Sequence, residues 1–436
     1  MAKKDKIDVA VLGAGVAGLA AARALQGKGL DVVVLEARDR IGGRILTHRD
    51  ARVPIPIELG AEFLHGETPE TDRVLREAGA VALDGAAGQW RGGDGALRPF
   101  PDLWTRIDRV LGRIDPGKDD RPFREALAAV RGSKADRELA LRFVEGFHAA
   151  DPDRVSARSI AEAGASGSAR DSGRVLSGYD TVPACLAGGL DVRLGSPVIK
   201  VEWSRGQVEV TVAGGKEGIA ARAAVVTVPL GVLQATPGDP GAILFSPDPP
   251  RIRKALSGLA MGPVVRLAFW FSELPWQKVK VPEGKDVSRL GYLHTPENDF
   301  NVWWSVRPVR APLAVAWSGG PPAAELSRLS PEELRDRALS ELARAIGLSR
   351  RRLGALVLDT WMHDWEGAPF SRGAYSYALA GGSGAAKELA RPVEGTLFFA
   401  GEAADAEGRN GTVEGAIASG LRAAKQVERV LASRPR

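Results

Sequence analysis

Cysteine is nearly absent from this sequence, because Cys185 is the single one among 436 residues. An intrachain disulfide is therefore excluded, which is typical of a reducing cytoplasm, and we expect a cytoplasmic protein. No uninterrupted apolar run reaches the roughly 18 residues of a membrane-spanning helix, so stable membrane insertion is not expected. The charged residues 1–6 lead directly into an apolar strand, which leaves no room for a signal peptide.

Clustered charge of one sign is also lacking. The formal net charge is +5, but the basic residues are scattered among acidic ones, so nucleic acid is not an expected partner. Hydrophobic residues make up 44% of the chain, enough for sizeable cores, and the length is natural for two domains. The 52 glycines suit an α/β protein with many tight turns between strands and helices.

The amino-terminal region has the pattern of a βαβ unit. Residues 7–12 predict a buried parallel strand, residues 16–27 a helix and residues 31–35 a second buried strand. A complete unit of about 30 residues is typical of dinucleotide-binding folds.

The turn after the first strand carries the pattern G-x-G-x-x-G. Gly13 permits a tight turn, Gly15 lets a pyrophosphate approach the backbone, and Gly18 lets helix and strand pack closely. We count Ala14 with this turn, because free N–H groups at a helix start favour phosphates. Glu36 ends the second strand, where a carboxylate accepts from both ribose hydroxyls and would repel the 2′-phosphate of NADP.

The segment EARDRIGGR, residues 36–44, resembles the flavin-dependent amine oxidase family, in a soluble, bacterial-type form. That family includes monoamine oxidases, polyamine oxidases and lysine-specific histone demethylases. In it the matching segment wraps FAD. The resemblance therefore implies cofactor contacts for Ala37, Arg38, Gly43 and Arg44, with Arg44 close to the flavin and the phosphates.

The next segment, ELGAEFLHG at residues 58–66, resembles the family's second signature, whose Gly-Ala backbone passes over the flavin ring. The implied cofactor contacts are Leu59, Gly60, Ala61 and Glu62. His65 lies where spermine- and acetylpolyamine-oxidase-like members carry an active-site histidine. A neutral imidazole there would help to deprotonate or orient the amine, the alternative being a structural histidine.

The carboxyl-terminal segment 397–416, LFFAGEAADAEGRNGTVEGA, resembles the part of the family that completes the cofactor site. The resemblance places Gly401 and Glu402 at the pyrophosphate and the ribityl chain. Thr412–Val413, together with Ala416, would direct the start of a helix at the flavin N1/O2 edge, where a helix dipole stabilises negative charge. Val198, in the segment that returns to the FAD domain, matches a backbone contact to adenine.

Residues 365–377, WEGAPFSRGAYSY, resemble the segment that carries the family's aromatic cage. Trp365 is a cofactor contact there, and Tyr375 matches one wall of the cage, which attracts the substrate amine. Thr412 holds the second cage position, so the other wall is missing unless a tryptophan supplies it. The tryptophans concerned, which otherwise fill a sheet core, are Trp303, Trp304 and Trp317. Ala374 replaces the cysteine to which monoamine oxidases attach FAD, so we expect non-covalent FAD.

One position departs from the family. Most members carry a lysine, held through water to flavin N5, where this sequence has Arg266. An arginine side chain keeps its proton and does not act as a base. We therefore interpret Arg266 as a ligand of a substrate carboxylate or as a fixed positive charge, and rapid oxidase activity is in doubt. The expected catalytic residues are His65, Arg266, Tyr375 and Thr412.

The resemblance covers residues 7–432 and implies an α/β, two-domain FAD amine oxidase fold. A Rossmann-like FAD domain is joined to a substrate domain that has a mixed sheet and a helical insertion. The expected boundaries are FAD-binding segments at 1–70, 189–234 and 391–436, the insertion at 71–188 and the substrate-binding sheet at 235–390. Apolar spacing predicts helices within the insertion at 70–78, 103–113, 122–131 and 134–149.

The expected reaction is hydride transfer from the carbon next to an amine nitrogen to flavin N5, followed by imine hydrolysis. Oxygen, which yields hydrogen peroxide, or another acceptor then takes the electrons. The substrate is a small amine, and monoamine, polyamine and amino acid stay open, as do monomer and homodimer. No metal is expected. Two alternatives remain: a flavin desaturase or dehydrogenase of an isoprenoid or porphyrin-like substrate, and a non-catalytic FAD-bound module.

Overall fold

The computed structural model describes residues 7–85, 88–166, 172–215, 218–279, 281–282 and 285–433. The predicted lack of a leader rests on residues 1–6, which lie outside the described residues.

The first part of the chain begins with the predicted βαβ unit and continues into short strands and helices. Its elements are β1 (Ile7–Leu12), α1 (Val16–Gln26), β2 (Val32–Leu35), β3 (Thr47–His48), β4 (Ile57–Glu58), β5 (Phe63–His65), α2 (Pro69–Glu77), β6 (Ala82–Asp84), β7 (Gly88–Gly93), β8 (Ala96–Pro99), α3 (Leu103–Leu111), α4 (Phe123–Ala128), α5 (Lys134–Phe147) and α6 (Ala157–Ser166). The predicted strand at 7–12 is confirmed, and the four predicted helices of the insertion are confirmed with ends shifted by up to three residues.

The middle part is richer in strands. Its elements are β9 (Ser172–Val175), α7 (Thr181–Ala187), β10 (Asp191–Arg193), β11 (Val198–Ser204), β12 (Gln207–Val212), β13 (Ile219–Val226), α8 (Leu230–Leu233), β14 (Leu244–Ser246), α9 (Pro250–Leu256), β15 (Leu259–Gly262) and β16 (Val264–Phe271).

The last part completes both large sheets and ends in the longest helix described. Its elements are β17 (Leu290–His294), β18 (Val302–Ser305), β19 (Leu313–Gly319), α10 (Pro321–Leu326), α11 (Pro331–Ile346), α12 (Arg350–Leu356), β20 (Val357–Met362), β21 (Tyr375–Ala378), α13 (Ala385–Leu389), β22 (Leu397–Phe399) and α14 (Val413–Ala432). Short 3₁₀ helices lie at Pro275–Lys278, Val287–Arg289 and Glu402–Ala404.

The first sheet joins the two ends of the chain. Its strand order is β10-β2-β1-β13-β12-β11-β14, and β22 also pairs with β13. Because β13 pairs in parallel with both β1 and β22, the amino-terminal and carboxyl-terminal strands end at the same sheet edge. The helices α1 and α14 pack together so closely that a Cβ on Gly420 would lie 2.2 Å from the carbonyl oxygen of Ala17.

The second sheet has the strand order β20-β16-β19-β18-β17-β7-β8. It is mixed, because β17 pairs with β7 in parallel while the other pairs in the sheet are antiparallel. One face packs on α11. A capping box fixes the start of that helix, because the Ser330 hydroxyl accepts from the N–H of Glu333 and the Glu333 carboxylate accepts from the N–H of Ser330.

The strands cross the predicted segment boundaries in two places. β7 and β8 lie in the segment predicted as a helical insertion, yet they form the edge of the second sheet. β14 lies in the segment predicted as the substrate sheet, yet it pairs with β11 in the first sheet. Pairing between remote strands decides both cases, and local apolar spacing carries no information about it. The boundaries themselves stay predictions.

None of the helices described is both long enough and apolar enough to cross a membrane. Within the same residues, no cluster of three or more histidine, cysteine or acidic side chains could hold a metal ion.

Candidate active site

A cavity of about 1540 Å³ lies between the two sheets and the helices α3, α5 and α6. It exceeds the ~300–1,000 Å³ of a pocket for one small ligand, so it has room for a dinucleotide and a substrate. Of the site residues predicted from the sequence, only Ala14 and Gly18 do not line it. Those that do are Gly13, Gly15, Glu36, Ala37, Arg38, Gly43, Arg44, Leu59, Gly60, Ala61, Glu62, His65, Val198, Arg266, Trp365, Tyr375, Gly401, Glu402, Thr412, Val413 and Ala416.

The glycines of the turn have different roles: Gly18 allows close packing, and Gly15 leaves the start of α1 accessible from the cavity. Gly13 has a φ of +104°, which favours glycine. A Cβ on Gly18 would lie 2.0 Å from the carbonyl oxygen of Gly13, so Gly18 permits close packing and does not line the cavity. A Cβ on Gly15 would meet nothing within 4 Å, and Gly15 is the N-cap of α1 without a side chain of its own. A phosphate can therefore approach the start of this helix.

Glu36 is a buried carboxylate beside this turn. It is 3% exposed, and its Oε2 accepts from the N–H of Ala14 at 2.7 Å. Its Oε1 accepts from the N–H of Arg38 at 3.0 Å. Each of the two carboxylate oxygens keeps one free lone pair, so the carboxylate can also accept from the two hydroxyls of a ribose. The Arg38 side chain donates to Ser371 Oγ at 2.6 Å, and its Nη1 lies 3.6 Å from Glu36 Oε1 in an ion pair.

The ion pair between Arg44 and Glu402 joins the two ends of the chain at the cavity. Arg44 Nη1 donates to Glu402 Oε1 at 2.7 Å and to the carbonyl oxygen of Ala374 at 2.8 Å. Glu402 Oε2 accepts from Ser376 Oγ at 2.6 Å and from the N–H of Gly411 at 2.9 Å. Burial opposes ionisation of Glu402, but Arg44 and these donors outweigh it and hold the pKa of Glu402 below its usual value.

Thr412 is the N-cap of α14. Its Oγ1 accepts from the N–H of Gly415 at 2.9 Å and donates to the carbonyl oxygen of Arg409 at 2.6 Å. The hydroxyl is thus engaged by the helix end, while Val413 and Ala416 line the cavity. A second helix amino end therefore opens on the same cavity as α1, which favours negative charge between them.

The backbone of Leu59 and Gly60 is held against the cavity wall. Trp365 Nε1 donates to the carbonyl oxygen of Leu59 at 2.8 Å. A Cβ on Gly60 would lie 2.0 Å from the carbonyl oxygen of Arg44 and 3.1 Å from the Trp365 ring. Only glycine therefore fits at position 60. Taken with the two helix ends and the buried Glu36, the residues present fit a flavin dinucleotide.

Glu62 lies at the centre of a buried charge cluster with Arg266 and Arg174. Arg266 Nη2 lies 2.5 Å from Glu62 Oε2, and Arg174 Nε lies 2.6 Å from Oε1. Trp304 Nε1 also donates to Glu62 at 3.1 Å, and Arg266 Nη1 donates to the carbonyl oxygen of Gly60 at 3.2 Å. Burial favours the neutral acid, but the two arginines outweigh it and hold the pKa of Glu62 below its usual value. Protein acceptors thus engage both terminal nitrogens of Arg266.

His65 lines the cavity next to this cluster. Burial, together with the charge of Arg174, lowers the pKa of His65 to about 4, so the ring is neutral at pH 7. Its Nδ1 is buried and has no hydrogen-bond partner among the described residues. The rings of Phe63 and Phe147 flank it at 5.6 and 5.5 Å.

Tyr375 also lines the cavity, and its Oη donates to the carbonyl oxygen of Phe147 at 2.7 Å. Burial raises the pKa of Tyr375 above its usual value, so the phenol stays a donor. Of the three tryptophans considered for a second cage wall, Trp303 is fully buried against Phe269 and belongs to the sheet core. The other two, Trp304 and Trp317, line the cavity, with their rings 5.5 Å apart.

Sequence reasoning missed four residues of the site. Arg174 stands in no quoted motif, and Ser376 lies in the segment 365–377 without a predicted role. Only the folded chain places them on Glu62 and Glu402. Phe143 and Phe147 stand four residues apart on α5, a spacing that predicts one helix face but not which cavity that face lines.

Comparison with known proteins agrees with this geometry. The family model for flavin containing amine oxidoreductases matches residues 16–107 and 113–428. Polyamine oxidase 4 of Oryza sativa subsp. japonica is 30% identical over 456 residues, which cover 96% of this chain and 88% of that protein.

Two solved structures share the fold. Wild-type putrescine oxidase bound to putrescine has a TM-score of 0.80 at 23% identity and covers 97% of this chain and 99% of its own. Cyclohexylamine oxidase from Brevibacterium oxydans IH-35A has a TM-score of 0.79 at 22% identity and covers 98% of this chain and 100% of its own. The predicted α/β, two-domain amine oxidase fold is confirmed. The chain therefore belongs to the flavin containing amine oxidoreductase family and is an amine-acting oxidoreductase with a flavin cofactor.

Proposed function

We propose that the chain binds FAD without a covalent bond and oxidises a small amine at the carbon next to the nitrogen. The observation that carries this proposal is that one cavity is lined both by the glycine turn and Glu36 and by Tyr375 and His65. The names of the similar proteins also support an amine as substrate, because they are a polyamine oxidase, a putrescine oxidase and a cyclohexylamine oxidase.

Several of the predicted cofactor contacts have a specific role in this proposal. When FAD is bound, the starts of α1 and α14 would hold the phosphates and the flavin N1/O2 edge, and Glu36 would accept from the ribose. Arg44 and Glu402, which neutralise one another, would hold the pyrophosphate and the ribityl chain. Ala374 offers no thiol for a covalent link, and Cys185 is not among the residues that line the cavity.

The chemistry that the flavin supplies when bound is acceptance of a hydride at N5 and delivery of the two electrons to oxygen, giving hydrogen peroxide, or to another acceptor. The residues of the chain bind and orient the amine. The face of Tyr375 attracts the nitrogen, and the neutral His65 accepts a hydrogen bond from an amine N–H. The imine product then hydrolyses once water reaches it.

In this proposal Arg266 bears on whether oxygen or another acceptor reoxidises the flavin, that is, on oxidase or dehydrogenase activity. Its guanidinium is fixed to Glu62 and Gly60, so it holds a positive charge in place and moves no proton. A cytoplasmic location, and a monomer or homodimer, stay predictions from the sequence.

Denaturation of the purified protein tests the cofactor assignment. Heat or acid should release a yellow compound into the supernatant, and mass spectrometry should identify it as FAD. Colour that stays with the precipitated chain would refute non-covalent binding. Turnover should give an aldehyde or ketone together with ammonia or a shorter amine, and an unchanged amine would refute the proposed reaction.

A further inference from the structure

One part of the cavity is lined by aromatic rings, and we call it the aromatic arm. Its rings come from α3, α5, β5 and the second sheet, and Tyr375 is joined to it by the hydrogen bond to the carbonyl oxygen of Phe147. The rings are Trp104, Phe143, Phe147, Phe63, Tyr292, Trp304 and Trp317. All except Trp304 are only half-buried, although they stand inside the wall of the molecule. The arm therefore offers apolar surface that no other part of the described chain covers.

The rings form a continuous surface. Phe143 and Phe147 stack at 5.1 Å with planes 13° apart, and Trp104 meets Phe143 edge-on at 5.8 Å. The surface then passes through His65 to Phe63 and the two tryptophans. The contacts along that stretch are Phe147–His65 at 5.5 Å, Phe63–His65 at 5.6 Å, Phe63–Trp304 at 5.4 Å and Trp304–Trp317 at 5.5 Å.

Negative charge is scarce along this arm. Of the described carboxylates that line it, Glu62 is engaged by two arginines, while Glu67 and Glu162 are exposed. Arg142 and Arg158 also line the cavity, and Arg142 is paired with Glu138 at 3.3 Å and with the buried Glu145 at 3.0 Å. The buried carboxylates Glu62 and Glu145 are thus already paired with arginines, so a second ammonium group inside the arm would meet rings without a free buried carboxylate as counter-ion.

We propose that the aromatic arm selects a monoamine that carries an aromatic or similarly bulky apolar group and discriminates against diamines and polyamines. This inference rests on the proposed function, because it names the substrate class of the same site. The proposed substrate class differs from the polyamines and the putrescine that occur in the names of similar proteins.

Two opposing effects give the direction of the selectivity. Apolar substituents gain from burial against half-open rings, and offset or edge-on ring contacts add to that gain. A distal ammonium loses its water in the arm, and the attraction of ring faces for cations does not replace a paired carboxylate. Hydrophobic pockets of this kind separate substrates by roughly 10–200-fold for each misfit group.

Anaerobic flavin reduction by a matched panel tests the proposal: 2-phenylethylamine, n-butylamine, putrescine, spermidine and phenylalanine. The limiting rate of flavin reduction divided by the dissociation constant of the amine should be about 100-fold higher for 2-phenylethylamine than for putrescine or spermidine. The value for n-butylamine should lie between them. Equal or faster reduction by the diamine or polyamine would overturn the proposal. Faster reduction by phenylalanine than by 2-phenylethylamine would also overturn it, because it would indicate that Arg142 or Arg158 binds a substrate carboxylate. If no amine reduces the flavin, the proposed function itself fails.

Phe143→Ala localises the effect. We expect the KM for 2-phenylethylamine to rise about tenfold, with less than about a threefold change for n-butylamine. Phe143→Leu should recover most of the loss, and Leu358→Ala, which truncates an exposed side chain on β20, is the matched control. Calorimetric binding of 2-phenylethanol, which carries no amine, should weaken in parallel. Unchanged binding of that alcohol to Phe143→Ala would contradict the assignment of the arm.

Discussion

Arg266 and Glu62 form a buried ion pair at the wall of the cavity, with 2.5 Å between Nη2 and Oε2. Glu62 is shared with Arg174, so one carboxylate balances two guanidinium groups. Glu62→Gln should lower the free energy of unfolding by about 3–5 kcal/mol, because it leaves two buried cations without a counter-ion. Chemical denaturation followed by tryptophan fluorescence measures this loss. Glu297→Gln, which breaks an exposed pair with Arg91, is the control, and equal stability of both variants would refute the role of Glu62.

The fixed guanidinium of Arg266 predicts slow reoxidation by air. Most relatives are expected to carry a lysine here, and a lysine can pass a proton through water, whereas arginine does not. Arg266→Lys should therefore raise the rate of reoxidation by oxygen about 100-fold, at the low end of the contribution of general acid–base catalysis. Stopped-flow mixing of the anaerobically reduced protein with oxygen measures it. A rate no higher than that of the wild type would remove Arg266 from the explanation.

Glu36 should control how firmly the cofactor is held. Its carboxylate accepts from Ala14 and Arg38 and has capacity left for two ribose hydroxyls. Glu36→Ala removes those charge-assisted bonds, and we expect the dissociation constant of FAD to rise roughly 100-fold. Titration of the apoprotein with FAD, followed by flavin fluorescence, gives the constant. Glu428→Gln, on the exposed surface of α14, should leave it unchanged.

The pH dependence of stability should carry a signature of Glu58. Burial raises the pKa of Glu58 from 4.5 to about 7, although the N–H of Tyr179 and the hydroxyl of Thr47 favour the ionised form. Because the folded-state pKa is raised, the stabilisation is complete below pH 4.5 and is lost as the pH rises through about 7.

Glu58→Gln imitates the neutral acid, so it should unfold like the wild type at pH 5 and be more stable at pH 8. The expected difference is on the order of 3 kcal/mol. Thermal unfolding at several pH values measures it, with Glu202→Gln on exposed β11 as control. A difference that does not grow between pH 5 and pH 8 would show that Glu58 titrates normally.

Tyr375 combines a ring at the cavity with a hydrogen bond to α5. Tyr375→Phe keeps the ring and leaves the Phe147 carbonyl without its donor, so we expect a loss of stability of about 1–2 kcal/mol and little change in KM for amines. Tyr375→Leu removes the aromatic face and should raise that KM about tenfold. Steady-state kinetics on both variants compares the two effects. Equal KM values for the two variants would exclude an aromatic role.

The parts of the fold that sequence predicts are those in which neighbouring residues determine the structure. The unit β1–α1–β2 follows from apolar runs and a glycine turn. The predicted cofactor contacts line one cavity because most of them follow strands that end at the same sheet edge.

The remainder depends on contacts between distant residues. Arg174 reaches Glu62 across 112 positions, from a strand within a segment predicted to be helical. The apolar spacing of α5 gives the helix, but the fold alone decides that Phe143 and Phe147 face the cavity. The same holds for the tryptophans, since alternation along a strand does not tell which sheet face is the core.

Anaerobic titration of the purified protein with an amine, followed by its visible absorption, tests the central claim most directly. We expect a yellow protein whose flavin band disappears on addition of the amine, with two electrons taken up per cofactor. A colourless protein that free FAD cannot restore, or a flavin band that no amine bleaches, would contradict it.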